Sequence, residues 1–545
     1  MKIKLEAQVQ QSCRHLLSEI NRDPASSTYG CFDRRYWGWK LTDFPEATYQ
    51  RNLANLAWYM RNNEGEYDPE MIGRTIIAGL IFTAGIQHKD GSFDQAYPFE
   101  RSFGATGFLL PDLMAAYKVV KDQCTEVEKE NIERLLKHAA DFLCASNEKH
   151  GLISNHLAGA ALGLFLVGEF FQNPDYDAHA LDLLGFILKN QSPEGWFPEY
   201  GGADPGYQTL CMHYLASIYC LRPSEELKSS LDFSLEFLQY FIHPDGSLGG
   251  EYGSRRTEVY YPGGIASLAQ AFPKALVIHH FMLESIENLS TVTLLDMDMG
   301  NMAPLLSSSI RALEIDISKK SAGKLPFESD KVNKEFREAG IIVVGNPRYY
   351  LVLGASNGGV LKIFDKTTQC LVEDDCGALA ETESGQWIST QSTKMDTPFS
   401  FKEFTFEGKS NFFAVNRQKP TPFNYLILRL LNMTVMRIGF LNELIKKIMV
   451  SWLIKTDKHV PLVRERKIVF AGDQVSVTDQ YTLPGKLRLK SLSHAGKFNS
   501  IHMASSRYFT GTTYDQRLQP LDFQMLNQKG SLVVSRTVEF LQRSA

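Results

Sequence analysis

Five short turns recur along the first half of the chain, and their spacing limits the fold more than any other feature. They are Tyr29-Gly30-Cys31-Phe32, Asp90-Gly91-Ser92-Phe93, His150-Gly151-Leu152-Ile153, Glu194-Gly195-Trp196-Phe197 and Asp245-Gly246-Ser247-Leu248, with glycines 61, 60, 44 and 51 residues apart. Between them lie paired runs, 49–61 and 70–86, 111–121 and 127–145, 156–172 and 179–190, 208–221 and 224–242. Within these runs apolar residues recur at three and four, as in Leu183, Leu184, Phe186, Ile187 and Leu188, which is the period of a helix. Two helices and one loop repeating every ~50 residues make a helical-hairpin array.

An array of this kind closes either as an open solenoid or as a ring. Gln-x-x-Asp-Gly-Ser-Phe at 87–93 and Gln-x-x-Glu-Gly-Trp-Phe at 191–197 resemble the turns of α/α toroids, so the ring is expected. A last hairpin at 263–288 and a less regular stretch complete it near residue 310. From there the pattern changes. Ile341-Ile342-Val343-Val344, Tyr349-Tyr350-Leu351-Val352-Leu353, Gln474-Val475-Ser476-Val477 and Ser531-Leu532-Val533-Val534 are short β-branched runs bounded by Gly, Asn and Asp, the punctuation of antiparallel sheet. The expected class is therefore α+β and multidomain. An N-terminal α/α toroid spans 1–310, a polar linker 311–334, and an antiparallel β-sandwich 335–545 carries a helical insertion at 423–454.

Composition removes several function classes. A chain of 545 residues exceeds a single core, and its net charge of -5 lacks the basic excess of a nucleic-acid binder. The eight cysteines form no Cys-x-x-Cys pair, so neither a zinc site nor a redox motif is expected, and no metal or other cofactor is assigned. Residues 1–11 lack the apolar core of a signal peptide, and no run of about 18 uncharged apolar residues offers a membrane span. A cytoplasmic protein is the expectation, with peripheral residence at the inner face of the membrane left open.

The loop 191–209 leads into a helix at Tyr207 and holds Trp196, Glu199 and Asp204. Ser154-Asn155-His156 opens another apolar helix, and Glu251-Tyr252-Gly253-Ser254-Arg255-Arg256 follows in the next repeat. Arg34, Arg35, Tyr36, Trp37 and Trp39 cluster near the first turn. The pattern resembles that of the heparinase II/III-like polysaccharide lyases, which implies abstraction of the C5 proton of a uronic acid, a step that needs a neutralised carboxylate and a base within hydrogen-bond reach, ~3 Å. Asn155 can hydrogen-bond that carboxylate, Arg255 or Arg256 can grip it bidentately, and His156 or Tyr207 can take the proton. Catalytic roles are assigned to Asn155, His156, Tyr207 and Arg256, and glycan binding to the remaining residues of these clusters. Each has a plainer alternative: Asn155 as a helix N-cap, His156 and Tyr207 as satisfied or packed side chains, Arg255-Arg256 as salt-bridge partners, and the tryptophans as hairpin packing.

A toroid followed by an antiparallel β-domain resembles the heparinase II/III-like polysaccharide lyases. The Asn155-His156 pair is similar to the pair these enzymes set against the uronate, and Pro205-Gly206-Tyr207 is similar to the segment that delivers their tyrosine. Gly-Cys-Phe-Asp-Arg-Arg-Tyr-Trp-Gly-Trp-Lys at 30–40 and Glu-Arg-Ser-Phe-Gly-Ala-Thr at 100–106 resemble proteins of bacterial exopolysaccharide gene clusters. The resemblance implies a polysaccharide lyase or uronate C5-epimerase in exopolysaccharide metabolism, with a free or lipid-linked glycan as partner. A glycoside hydrolase with paired carboxylates and a non-catalytic glycan-binding or assembly factor remain open alternatives, as does homo-oligomerisation. Residues 423–467 hold nine cations against three acids, a net +6 on an apolar stretch. Either a packed helix with solvated cations or a membrane-surface helix accounts for them.

Overall fold

Helices pair along the chain in the order that the turns dictate. Asn52–Asn62 precedes Pro69–Ile86, Phe103–Val120 precedes Glu126–Ala145, Ser154–Phe171 precedes Pro174–Lys189, Pro205–Leu221 precedes Glu225–Leu238, and Pro262–Leu268 precedes Pro273–Glu287. The computed structural model describes the chain apart from residues 1–2, 64, 149–151, 318–322, 391–396, 416–420, 439–440, 443–444, 446–458, 486, 495–518, 539 and 541–545. Its residues form two units, one of Met1–Gly201, Gly206–Glu236 and Val259–Gly323, the other of Gly202–Pro205, Phe237–Glu258 and Lys324–Ala545.

In the first unit, Phe103–Val120 and Ser154–Phe171 are buried on almost every side, as inner helices must be. Glu126–Ala145 buries one stripe, Ile132, Leu135, Leu136, Ala139 and Leu143, and presents charge elsewhere, as an outer helix should. Small residues bring the inner helices together: a Cβ at Gly159 would stand 2.9 Å from the Phe108 ring, and one at Gly107 3.1 Å from Ala160 Cβ. Ile3–Glu19, outside the paired runs, closes the ring by packing on Pro273–Glu287 and Met299–Glu314. The Lys4 and Leu5 amides donate to the Glu287 carboxylate at 3.2 and 3.1 Å. Met299–Glu314 in turn meets Asn52–Asn62, where Asn55 Nδ2 donates to the Ala303 carbonyl at 3.3 Å.

Three of the recurrent turns share one construction. His88 N donates to Ser92 O, Ser192 N to Trp196 O and His243 N to Ser247 O, at 2.9–3.0 Å. The glycine amide of each, Gly91, Gly195 and Gly246, bonds back across three residues at 2.8–3.0 Å. Each of these glycines has a positive φ, +88°, +99° and +86°, a region L-residues avoid. The glutamine that opens the motif ties its turn to the next outer helix. Gln87 Nε2 donates to Gly91 O and Leu135 O, and Gln191 Nε2 to Gly195 O and Ser230 O, all at 3.0 Å. The turn at Gly151 lies outside the described residues.

The second unit is a sandwich of two antiparallel sheets. Val332–Phe336, Ile341–Gly345, Tyr349–Gly354, Val360–Asp365 and Cys370–Asp375 form a five-stranded meander. The larger sheet runs Gln519–Pro520, Leu489–His494, Ala378–Thr382, Trp387–Ser389, Thr405–Ala414, His459–Ala471, Gln474–Thr482, Ser531–Val538, with Phe399–Lys402 paired to Thr405–Ala414. Ile342, Leu351, Leu353 and Ile363 of one sheet share a core with Phe406, Ile468, Val475 and Val477 of the other. The insertion is helical over Pro422–Met433, and much of 439–454 lies outside the described residues.

Two boundaries differ from expectation. Met299–Glu314 runs into the expected linker, and Phe237–Glu258 joins the β-rich unit rather than the ring. Aromatic packing explains the second shift: Phe237 and Phe241 lie on Phe336, and His243 stacks on Phe364 at 4.4 Å.

Candidate functional site

The loop 191–201 is fastened over the first turn of Ser154–Phe171. Ser154 donates to the Pro198 carbonyl from its amide (3.2 Å) and from its hydroxyl (2.9 Å), and Ile153 bridges to Glu199. Asn155 is fully buried beneath this loop. It is not the N-cap, since Ile153 holds that position and Asn155 lies inside the helix. Instead its Nδ2 donates to Glu199 Oε2 at 2.5 Å. Its buried Oδ1 has no hydrogen-bond partner among the described residues, an acceptor whose burial is costly unless a donor arrives.

His156 is held on three sides. Its Nδ1 lies 2.7 Å from Glu148 Oε2, its ring meets the Phe108 edge at 5.0 Å, and a Cβ added to Gly104 would stand 2.5 Å from Nδ1. Opposite an ionised Glu148, Nδ1 carries the proton and Nε2 keeps its lone pair, the tautomer of a general base. Phe108 is itself fixed, stacked on Tyr214 at 5.6 Å and beneath the Arg51 guanidinium at 5.0 Å. Arg51 bonds Asp112 Oδ2 at 2.7 Å and the Tyr214 hydroxyl at 2.9 Å. Glu148, Phe108 and Arg51 were not among the sequence candidates. The one signal for Glu148 is an acid in the segment that leads into a candidate base.

Tyr207 is half-buried in the first turn of Pro205–Leu221. Its neighbour Gln208 accepts from the Phe197 amide at 3.0 Å and donates to Gly195 O at 3.2 Å. The turn that carries the tyrosine is therefore bonded to the loop that covers Asn155. Trp196, 8% exposed, donates from Nε1 to Glu194 at 3.1 Å and packs within that loop.

Near the first turn, Trp37 donates from Nε1 to the Glu19 carbonyl at 3.0 Å and lies beside the Arg34 guanidinium. Arg35 pairs with Asp33 and Glu46 at 3.3 and 3.2 Å. Tyr36 is half-buried and lines a surface cavity with Trp37 and Lys40. Trp39, 69% exposed, offers a free indole face.

The remaining candidates form a buried cluster of the second unit. Asp204 accepts from the amides of Arg255 (2.9 Å) and Thr257 (3.3 Å) and so shapes the 253–257 turn, in which Arg256 has φ +57°. The Tyr252 hydroxyl lies 2.9 Å from His243 Nε2, and burial pushes its pKa well up. Glu251 stands 3.5 Å from Lys362 Nζ, which also binds Glu258 at 2.6 Å. Burial alone would discharge that lysine, but Glu258, Asp374 and Glu251 hold its pKa well above the ordinary value. Arg256, half-buried, has its pKa drawn down by desolvation, with Glu251 opposing.

Among the described residues, two triads have ligand atoms close enough for a metal, Glu251–Asp374–Cys376 and Asp375–Asp479–His494. Protein cations already stand in both. Lys362 serves the first, and Arg466 bridges Asp375 and Asp479 at 2.7 Å in the second. A divalent ion would meet these fixed charges.

With that geometry in view, the likenesses to known proteins can be placed. The family model described as Ulvan lyase N-terminal domain matches residues 77–269, the stretch that contains Asn155, His156 and Tyr207. The chondroitin AC lyase of Streptomyces coelicolor A3 superposes with a TM-score of 0.56 at 12% identity, covering 90% of this chain and 67% of that one. The chain has the fold of the heparinase-like polysaccharide lyases. Heparinase III aligns over 89% of this chain and 80% of its own, at 11% identity and a TM-score of 0.45. A heparan sulfate lyase of Pedobacter heparinus aligns over 90% and 70%, at 12% identity and 0.44. No curated protein matches the chain in sequence.

Proposed function

We propose that this protein is a polysaccharide lyase that cleaves a uronic-acid-containing glycan by abstraction of the C5 proton. The observation that carries this reading is the first turn of Ser154–Phe171. There a histidine with a fixed ring follows a buried asparagine whose amide oxygen has no hydrogen-bond partner among the described residues, and the loop over that asparagine is bonded to the turn of Tyr207. The match to an ulvan lyase domain over these same residues supports it.

In this scheme His156 Nε2 takes the C5 proton. The electron pair left at C5 forms the C4–C5 double bond as the C4–O4 bond breaks. The Tyr207 hydroxyl protonates the departing O4, and the products are an unsaturated uronate end and a free hydroxyl end. Asn155 uses its Nδ2 on Glu199, so its Oδ1 serves as acceptor to a substrate hydroxyl or to a protonated carboxyl. Return of the proton to the other face of C5, without loss of O4, is the epimerase outcome of the same site. The setting proposed is bacterial exopolysaccharide metabolism, with a free or lipid-linked polymer as substrate.

Incubation with a panel of uronate polymers in deuterated water tests the reading. A new ultraviolet absorbance from the conjugated double bond is expected on at least one polymer. Deuterium at C5 without absorbance would assign the epimerase. New reducing ends without a double bond would assign a hydrolase. Absence of all three across the panel would end the proton-abstraction proposal.

A further inference from the structure

We infer that the insertion helix Pro422–Met433 is a docking surface for an anionic lipid bilayer. Its apolar side chains point away from the protein. Phe423, Leu426, Leu430 and Met433 are 68, 57, 54 and 64% exposed, and Ile427 is 41% exposed. Spaced at three and four, they form one stripe along the helix. The residue buried in this helix is polar Asn432, half a turn away from the stripe, and Met436 beyond the helix end is also buried. A helix of a soluble core shows the opposite order, with its apolar stripe turned inward. Tyr425 and Ile438 extend the exposed apolar surface, which exceeds the single scattered side chains normal on a soluble protein.

Charge selects the occupant. Residues 421–438 contain Arg429 and Arg437 and no acid, although the whole chain is net negative. Across 421–458 the sequence has six cations against two acids, and four of the cations, Lys446, Lys447, Lys455 and Lys458, lie outside the described residues. Arg464 and Arg466, part of the basic excess read from the sequence, do not contribute, because the sandwich buries both. An apolar stripe in a segment of positive net charge, with Arg437 exposed and Arg429 half-buried, matches the headgroup boundary of an anionic bilayer, where the cations meet negative charge and the stripe meets acyl chain. A second copy of the chain would bring the same cations face to face.

This inference goes beyond the lyase reading and does not depend on it, since its test uses no glycan. Purified full-length protein is floated with phosphatidylcholine vesicles and with vesicles of phosphatidylcholine and phosphatidylglycerol. Flotation with the anionic vesicles at low salt is expected, about tenfold weaker on the neutral ones, and reduced by added salt. The L426E/L430E double variant should remain at the bottom of the gradient. Leu181→Glu, which charges an exposed leucine on an outer helix of the ring, should float like the wild type. Circular dichroism and light scattering on the same samples confirm that both variants are folded and report their mass. Wild-type protein that stays at the bottom with anionic vesicles at low salt overturns the inference. So does flotation that L426E/L430E leaves unchanged, or a stable dimer that this variant dissociates.

Discussion

Glu148 is the residue that gives His156 a direction. With the imidazole neutral, a carboxylate 2.7 Å from Nδ1 favours the proton on that nitrogen, whereas an amide there would let it move to Nε2, the nitrogen the proposed reaction needs free. Glu148→Gln is therefore expected to lower kcat by about 10²-fold or more, to leave KM for the glycan near its wild-type value, and to be partly rescued by Glu148→Asp. A parallel loss in kcat and in thermal stability would mark Glu148 as structural instead. At this scale the sequence was informative about pairs adjacent in the chain and silent about pairs made by folding. Asn155-His156 stands out as a dipeptide at a helix start. Its partners Glu199 and Glu148 lie 44 and 8 residues away, and Phe108 comes from another hairpin. Nothing in a one-dimensional pattern ties these groups together.

Turns were the most legible elements, because the physics that makes them is local. A glycine forced to positive φ is a constraint on residue type that repeats wherever the turn repeats. Two glycines separate the terms of that constraint. Gly91 has φ +88°, and a Cβ there would lie 1.9 Å from the His138 carbonyl, whereas Gly201 has φ +87° with nothing within 4 Å. Gly201→Ala should cost about 1 kcal/mol for the strained backbone alone. Gly91→Ala should cost clearly more, about 3 kcal/mol, because the outer helix must also shift. Urea unfolding of the two variants measures the difference, and equal midpoints would show that the His138 contact yields freely. The glutamines of the same motif were visible as a repeat, but their role was not. Gln87 and Gln191 reach carbonyls of helices about 40 to 50 residues further on, a long-range bond with no local signature. The helical insertion was legible as an apolar run, but which face would be turned outward was not.

For the molecule as a whole, the order of helical-hairpin array and β-sandwich followed from period and the closure into a ring from the resemblance of the turns, whereas the allegiance of 237–258 required contacts such as Phe237–Phe336 that only the folded chain makes. Acid sensitivity is also a property of the folded chain. His213, on the inner helix Pro205–Leu221, is 7% exposed, and its Nδ1 has no hydrogen-bond partner among the described residues. Burial first, and then the Arg311 and Arg51 charges, depress its pKa from 6.5 to about 3. Above pH 6.5 the imidazole is neutral whether folded or unfolded, and its contribution to stability is fully present. Below that pH the unfolded chain binds a proton that the folded chain refuses, so stability falls as the pH drops from 6.5 towards 3. The slope approaches 1.4 kcal/mol per pH unit for one such group. Between pH 6.5 and 5 few carboxylates titrate, since their ordinary pKa values lie near 4. His494 in the β-rich unit, depressed to about 4 mainly by burial, adds a second group in the same window. His213→Gln should flatten the pH dependence of the first unit's unfolding midpoint in this window, while His494→Gln should act on that of the second. Tryptophan fluorescence during urea titrations at pH 6.5, 5.8 and 5.0 reads both transitions. A His213→Gln protein that loses stability with acid as steeply as the wild type would show that this buried imidazole accepts its proton in the folded state.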